Sequence, residues 1–165
     1  MNYLLIDTTT SYVTVSIIKD YKIIQLFHGQ IVSDMSSKIL PILDEKLDSS
    51  NMTLKDINKI FVTNGPGSFT GVRIGVTIAK TIAWALNIPI ITLSSLELMA
   101  TTNTDKKYLV PMIDARRGNV FAGIYDNSLN CIKEDRLVNL KELIQGTDNG
   151  YLFISYDEIN VDKIT

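Results

Sequence analysis

Two short segments of the sequence carry side chains that could take part in chemistry. In the first, Asp7 precedes the hydroxyl groups of Thr8, Thr9 and Thr10 and follows a short apolar run, residues 3–6. A carboxylate and hydroxyls at the end of a strand can hold a magnesium–phosphate group, but they are also typical of a turn that bonds its own backbone. Asp7, Thr8 and Thr9 are therefore candidates for a nucleotide-binding loop, with a simple turn as the alternative.

The second segment, residues 114–118, reads Asp-Ala-Arg-Arg-Gly and predicts a hairpin tip with two adjacent arginines. Guanidinium groups pair well with phosphate and carboxylate groups. Arg116 and Arg117 could therefore contact a phosphate or carboxylate group, and a solvated turn explains them as well.

Histidine and cysteine are too scarce for most catalytic arrangements, because His28 and Cys131 are the only residues of their types. A paired-histidine metal motif needs two histidines, and an internal disulfide needs two cysteines. No Ser–His–Asp arrangement and no suggestive pair of carboxylates stands out. We therefore expect no catalytic residue and no metal site.

The composition is that of an ordinary globular protein, with 165 residues, 45% hydrophobic and 21% charged. The 16 Lys and Arg residues against 18 Asp and Glu residues give a net charge of −2. A protein that binds nucleic acid unaided usually has a basic surplus, so we expect any nucleic acid to be bound only together with a partner. The first residues lack the basic segment of a signal peptide, and the chain is expected to be cytoplasmic, with no membrane contact.

The elements that must position these residues follow from hydrophobic periodicity. Three strand-like runs predict an antiparallel meander, and later strands alternate with helices, which predicts an α/β fold with a mixed sheet flanked by helices. The later part looks like a second, smaller lobe, and no internal repeat is visible. The predicted strands are 3–6, 12–18, 21–27, 59–63, 88–93, 108–113 and 119–125, the main helices are 35–47 and Phe69 to Leu86, and the lobes are 1–103 and 104–165.

The helix from Phe69 to Leu86 is the most unusual segment. Ser68 is a plausible cap, and Asn87 should end the helix. The helix is apolar on two faces, and a ridge of small residues recurs every four positions, so it should be buried on both sides. One side can cover its own sheet, and the other needs a helix, either 35–47 of this chain or one of a partner. The ridge consists of Gly71, Gly75, Ala79 and Ala83.

The glycine-rich loop before this helix does not match a phosphate-binding motif. A P-loop needs a lysine directly after its last glycine, whereas Val72 and Arg73 follow Gly71. A tight strand-to-helix turn is therefore the simpler interpretation.

Three stretches together resemble one family. Residues 64–90, NGPGSFTGVRIGVTIAKTIAWALNIPI, are highly specific, and LLIDTTT near the start and PMIDARRGNVFAGIY later support them. Over about residues 2–126 the chain is similar to the TsaB (YeaZ) family. The resemblance implies an actin-like ATPase (sugar kinase/Hsp70-like) fold, with an RNase-H-like five-stranded mixed sheet in the first lobe. The second lobe would be shorter than in most family members.

The resemblance also implies a function. TsaB would be a non-catalytic subunit that binds and activates TsaD in forming N6-threonylcarbamoyladenosine at position 37 of tRNAs that read codons starting with A. TsaE would join the complex, ATP and Mg²⁺ would belong to the partners, and TsaB alone would form a homodimer through the surface that binds TsaD. That surface would lie on the two helices. The predicted contact residues are Ile39, Leu43, Val72, Arg73, Val76, Ala79 and Lys80.

Two enzymatic alternatives remain. A phosphotransferase or ATPase of the actin-like class would use Asp7 and the following hydroxyls, but it needs a second phosphate loop. The turn at residues 148–150 does not follow an apolar strand and is a poor candidate. A glycopeptidase would need the metal-binding histidine pair that this sequence lacks.

Overall fold

The chain divides into two compact units, residues 1–93 and 94–165. The structure, a computed structural model, describes residues 1–102 and 104–159. The predicted lobe boundary, after residue 103, would place the helix at Ser95–Met99 in the first lobe. Instead that helix packs on strands of the second unit, because Leu96 and Met99 are buried in the same cluster as Leu109. The boundary therefore lies earlier than the sequence predicts.

The first unit is built on a five-stranded mixed sheet of strand order β3-β2-β1-β4-β5. The first three strands are antiparallel neighbours, and β4 and β5 run parallel to β1. This confirms the predicted meander followed by crossovers. The strands are β1 (Asn2–Asp7), β2 (Tyr12–Lys19), β3 (Lys22–Gln30), β4 (Lys59–Thr63) and β5 (Ile90–Leu93).

Two helices, α1 (Met35–Asp48) and α2 (Phe69–Leu86), belong to this unit, with a short 3₁₀ helix at Leu54–Asp56 between them. Helix α1 buries Ile39, Leu43 and Leu47, a spacing of four that forms one helical stripe. These side chains share a core with alternate residues of the central strands. The strand residues are Leu4, Ile6, Val13, Val15, Ile17, Ile60 and Val62.

Helix α2 begins and ends where its sequence predicts. The Ser68 hydroxyl accepts a hydrogen bond from the Gly71 N–H, and Asn87 ends the helix in the left-handed conformation. By length and composition, with 18 residues and a mean hydropathy of 1.2, the helix could also cross a membrane. Its small residues Gly71, Gly75 and Ala79 are buried within the unit, as in helices that cover a protein core.

The second unit contains a four-stranded sheet of order β8-β7-β6-β9. Strands β6 to β8 form an antiparallel meander, a helix follows, and β9 pairs in parallel with β6. This repeats the connectivity of β1 to β4, a repeat that the sequence does not reveal because different side chains occupy equivalent places. The elements are α3 (Ser95–Met99), β6 (Tyr108–Asp114), β7 (Asn119–Asp126), β8 (Cys131–Asn139), α4 (Leu140–Gln145) and β9 (Tyr151–Ile154).

Candidate partner-binding site

Helix α2 presents an exposed stripe of large side chains. Phe69 is 71% exposed, Trp84 is 86% exposed, and Leu40 on α1 is 48% exposed. Aromatic and apolar groups on a folded surface are typical of protein interaction sites when they are contiguous. We call this surface the α2 seam; it comprises Leu40, Phe69, Arg73, Thr77, Lys80 and Trp84.

The seam borders an open groove of about 380 Å³. Leu40 contributes to it from α1, and Phe69, Ile74 and Ile78 contribute from α2. The guanidinium carbon of Arg73 lies 3.9 Å from the centroid of the Phe69 ring, a cation–π arrangement. The charge therefore covers one apolar anchor of the seam in the free protein.

The predicted contact residues divide into an accessible and a buried set. Arg73 and Lys80 are exposed, and Val72 and Val76 are half-buried. The other three are not at the surface, since Ile39 and Ala79 have no exposed area and Leu43 has 1%. Their assignment to the contact surface is corrected here, because they form the core beneath it.

Sequence reasoning missed three large apolar members of the seam, Phe69, Trp84 and Leu40. A signal was present for the two that belong to α2. On a helical wheel Phe69 and Trp84 lie away from Gly71 and Gly75, which mark the side of α2 that packs most closely. Taking the ridge as the inward side would have identified Phe69 and Trp84 as outward.

The two glycines of the small-residue ridge, Gly71 and Gly75, pack against the loop that follows β1. A Cβ atom at Gly71 would collide with the backbone carbonyl oxygen of Thr8, and one at Gly75 would collide with Thr8 Oγ1. The Thr8 hydroxyl donates a hydrogen bond of 2.7 Å to the Gly71 carbonyl oxygen. The two glycines are therefore explained by close packing of helix on loop, and Ala79 and Ala83 lie in the core cluster that includes the buried residues of α1.

Asp7 and the threonines that follow it are buried and bonded to one another. Asp7 is 5% exposed. Its Oδ1 atom accepts hydrogen bonds from the Thr9 N–H at 3.0 Å, the Thr9 hydroxyl at 2.7 Å and the Thr63 hydroxyl at 2.7 Å. The Thr9 carbonyl oxygen accepts a bond of 2.7 Å from the Ser68 N–H. This geometry favours the self-bonded turn over the nucleotide loop.

Replacing Asp7 with alanine should lower the free energy of unfolding by about 3 kcal/mol, because three buried donors lose their acceptor. Urea unfolding of the full chain measures this change. Asp48→Ala, on the exposed side of α1, is the control and should cost less than about 0.5 kcal/mol. A loss below about 1 kcal/mol for Asp7→Ala would contradict a structural role for the carboxylate.

The remaining candidate residues do not assemble into a reactive site. His28 is exposed on β3, with its Nδ1 atom 2.9 Å from Thr14 Oγ1. Cys131 is exposed, and partial desolvation with the nearby carboxylates of Asp135 and Glu134 raises its pKa, which disfavours the thiolate. Within residues 1–102 and 104–159 no three His, Cys, Asp or Glu side chains are grouped to hold a metal ion.

The second unit contains a polar cluster that the sequence did not indicate. Asp135 accepts hydrogen bonds from the Ser94 hydroxyl and, at 2.6 Å, from the Tyr125 hydroxyl. Burial and this bond raise the pKa of Tyr125. A Cβ atom at Gly123 would collide with Asp135, so the glycine makes room for the carboxylate. The cluster links α3 to β7 and β8.

Comparison with known proteins matches these features to two related groups. A family model for TsaD, tRNA N6-adenosine threonylcarbamoyltransferase, matches residues 29–155. The tRNA threonylcarbamoyladenosine biosynthesis protein TsaB of Bacillus subtilis (strain 168) is 36% identical over 164 residues, which are 95% of this chain and 72% of the relative. The TsaB protein of Escherichia coli (strain K12) is 36% identical over 135 residues, 80% of this chain and 58% of the relative.

Solved structures agree with the sequence relatives. YeaZ from Pseudomonas aeruginosa superimposes with a TM-score of 0.76 at 24% identity, covering 84% of this chain and 66% of YeaZ. This confirms the predicted actin-like fold class. The chain spans between about three fifths and three quarters of the length of these relatives.

Proposed function

Since the chain belongs to the TsaB family of tRNA threonylcarbamoyladenosine biosynthesis, we propose that it is a non-catalytic subunit that binds and activates TsaD in that pathway. The observation that carries the proposal is the α2 seam. Phe69 and Trp84 are exposed on one side of α2, and the other side of this helix is buried in the core of the unit. Exposed aromatic anchors beside a charged residue are typical of the centre of a protein interface.

The match to the TsaD family model suggests how the two proteins pair. TsaD and this chain share a fold over residues 29–155, a range that includes both α1 and α2. A partner with equivalent helices could pack its own α1 and α2 against the seam in a nearly two-fold arrangement. The same surface would suit a second copy of this chain, so a homodimer and the TsaD complex would compete.

The buried state of Asp7 supports a non-catalytic role. Its Oδ1 atom already accepts three hydrogen bonds from Thr9 and Thr63. A phosphotransferase that used Asp7 would first have to open this network. The threonylcarbamoyl transfer to N6 of adenosine 37 would therefore take place on TsaD, with ATP and Mg²⁺ held by TsaD and TsaE and with tRNA bound by the complex.

Light scattering after size-exclusion chromatography tests the proposal directly. The full chain is run alone and then with TsaD of the same organism. We expect a 1:1 complex that replaces any homodimer, and we expect threonylcarbamoylation of tRNA by TsaD and TsaE to require this chain. A mixture that elutes as separate proteins, or modification that proceeds equally well without the chain, would refute the proposal.

A further inference from the structure

The tip of the hairpin between β6 and β7 is held in one conformation by backbone hydrogen bonds. The Ala115 N–H donates to the Asn119 carbonyl oxygen at 3.0 Å, and the Asn119 N–H donates to the Arg116 carbonyl oxygen at 3.1 Å. The first residue of α4, Leu140, donates its N–H to the Gly118 carbonyl oxygen at 3.0 Å. The tip is thus anchored to its own strands and to α4.

The backbone of this tip is left-handed at three consecutive residues. The φ angles are +69° at Arg116, +57° at Arg117 and +75° at Gly118. Positions with positive φ favour glycine, asparagine and aspartate, since other side chains crowd the backbone there. Gly118 follows that preference, but the two arginines do not. Both are exposed. Asp20 and Tyr21, in the hairpin between β2 and β3, also have positive φ angles, so this is the backbone geometry of a tight hairpin turn. The turn places both arginines at the surface.

The two arginines at the tip differ in their interactions with carboxylate groups. The Arg116 N–H donates to Asp114 Oδ1 at 2.8 Å, and the Arg116 guanidinium lies 3.5 Å from Asp114 Oδ2. Arg117 makes no ion pair within 4.0 Å in the described part of the chain. Lys141 follows Leu140 and adds an exposed cation next to the same end of the hairpin. Arg117 is therefore the guanidinium group most available to a ligand.

We propose that this tip binds the phosphodiester backbone of RNA, with Arg117 as the principal contact and Arg116 beside it. The inference rests on the role in tRNA modification proposed above. Guanidinium groups match phosphate oxygens in a two-pronged geometry, and phosphate contacts position a protein on its nucleic acid. An exposed tip suits an extended polyanion, whereas a free nucleotide is usually bound in a concave pocket. Since the net charge is −2, RNA contact must come from such a local group.

Fluorescence anisotropy with a labelled tRNA transcript tests the proposal in the complex with TsaD. Arg117→Ala should weaken tRNA binding about tenfold, the effect of losing one hydrogen-bonded charge contact. It should also lower the slope of log K against log salt by about one. The control Lys55→Ala removes an exposed cation of the first unit and should leave the affinity within about twofold. Unchanged affinity and slope for Arg117→Ala in an intact complex would overturn this inference and leave the proposed function standing.

Two further measurements separate the alternatives. Light scattering reports whether the complex with TsaD forms. If it does not form, the proposed function fails. The tRNA titration is then repeated at low salt with the chain alone, and it still shows whether Arg117 at the hairpin tip contributes to RNA binding. ATP is titrated in parallel, and a loss of affinity for ATP without a loss for tRNA would overturn the assignment to RNA. Arg117→Asn suits the left-handed backbone, so its melting temperature should match or exceed that of the natural chain while tRNA binding weakens. A lower melting temperature for this variant would indicate a structural arginine and overturn the proposal.

Discussion

Trp84→Ala should weaken the complex with TsaD about 30-fold or more, while the melting temperature of the free chain stays unchanged. The side chain is 86% exposed in the free protein, so its loss removes no buried contact from the fold. Buried tryptophans at interface centres commonly contribute 2 kcal/mol or more to binding, which corresponds to about this change in Kd. Isothermal titration of TsaD with the natural chain and the variant measures it.

Tyr21→Ala is the matched control for that experiment. Tyr21 is 88% exposed and lies at the turn between β2 and β3, outside the α2 seam. The Tyr21→Ala variant should bind TsaD with the same affinity as the natural chain. Equal binding by Trp84→Ala would move the interface away from α2, and equal losses by both variants would indicate a general effect of removing surface aromatics.

Gly71→Val should lower the free energy of unfolding of the first unit by at least about 3 kcal/mol. The new side chain would collide with the Thr8 carbonyl oxygen, which is backbone and cannot rotate away. The same displacement would break the hydrogen bond from the Thr8 hydroxyl to the Gly71 carbonyl oxygen. Urea unfolding followed by far-UV circular dichroism measures this change, since α1 and α2, the two longest helices of the described chain, belong to this unit.

Ala85→Val tests whether added bulk in α2 is harmful in general. Ala85 is exposed, so the two added methyl groups enter solvent. Its cost should stay below about 1 kcal/mol, mostly the lower helix propensity of valine. If Gly71→Val cost no more than this control, the loop after β1 would be able to yield, and the glycine ridge would need another explanation.

The first unit could be predicted well because its signals are local. Apolar residues recur with a clear period along its strands, and α2 carries its own start and stop residues, Ser68 and Asn87. Close packing of Gly71 and Gly75 was also foreseeable, although its partner was not. A glycine marks close approach, but the approaching group, the loop at Thr8, lies more than sixty residues away in the chain.

The second unit was predicted less completely for a related reason. Strand β8 is an edge strand, and most of its side chains are exposed. A strand exposed on both faces has little hydrophobic alternation for a sequence pattern to show. Its charged run, Lys133 to Arg136, resembles a loop in the sequence. Pairing with β7 through the backbone makes it a strand.

The sequence by itself determined the family, the α/β class, the limits of α2 and the scarcity of catalytic side chains, because each depends on residue types and short spacings. Only the tertiary structure decided what the glycines of α2 pack against and whether Asp7 is free. Both depend on residues far apart in the chain, since Gly71 meets the loop at Thr8 and Asp7 accepts a hydrogen bond from Thr63.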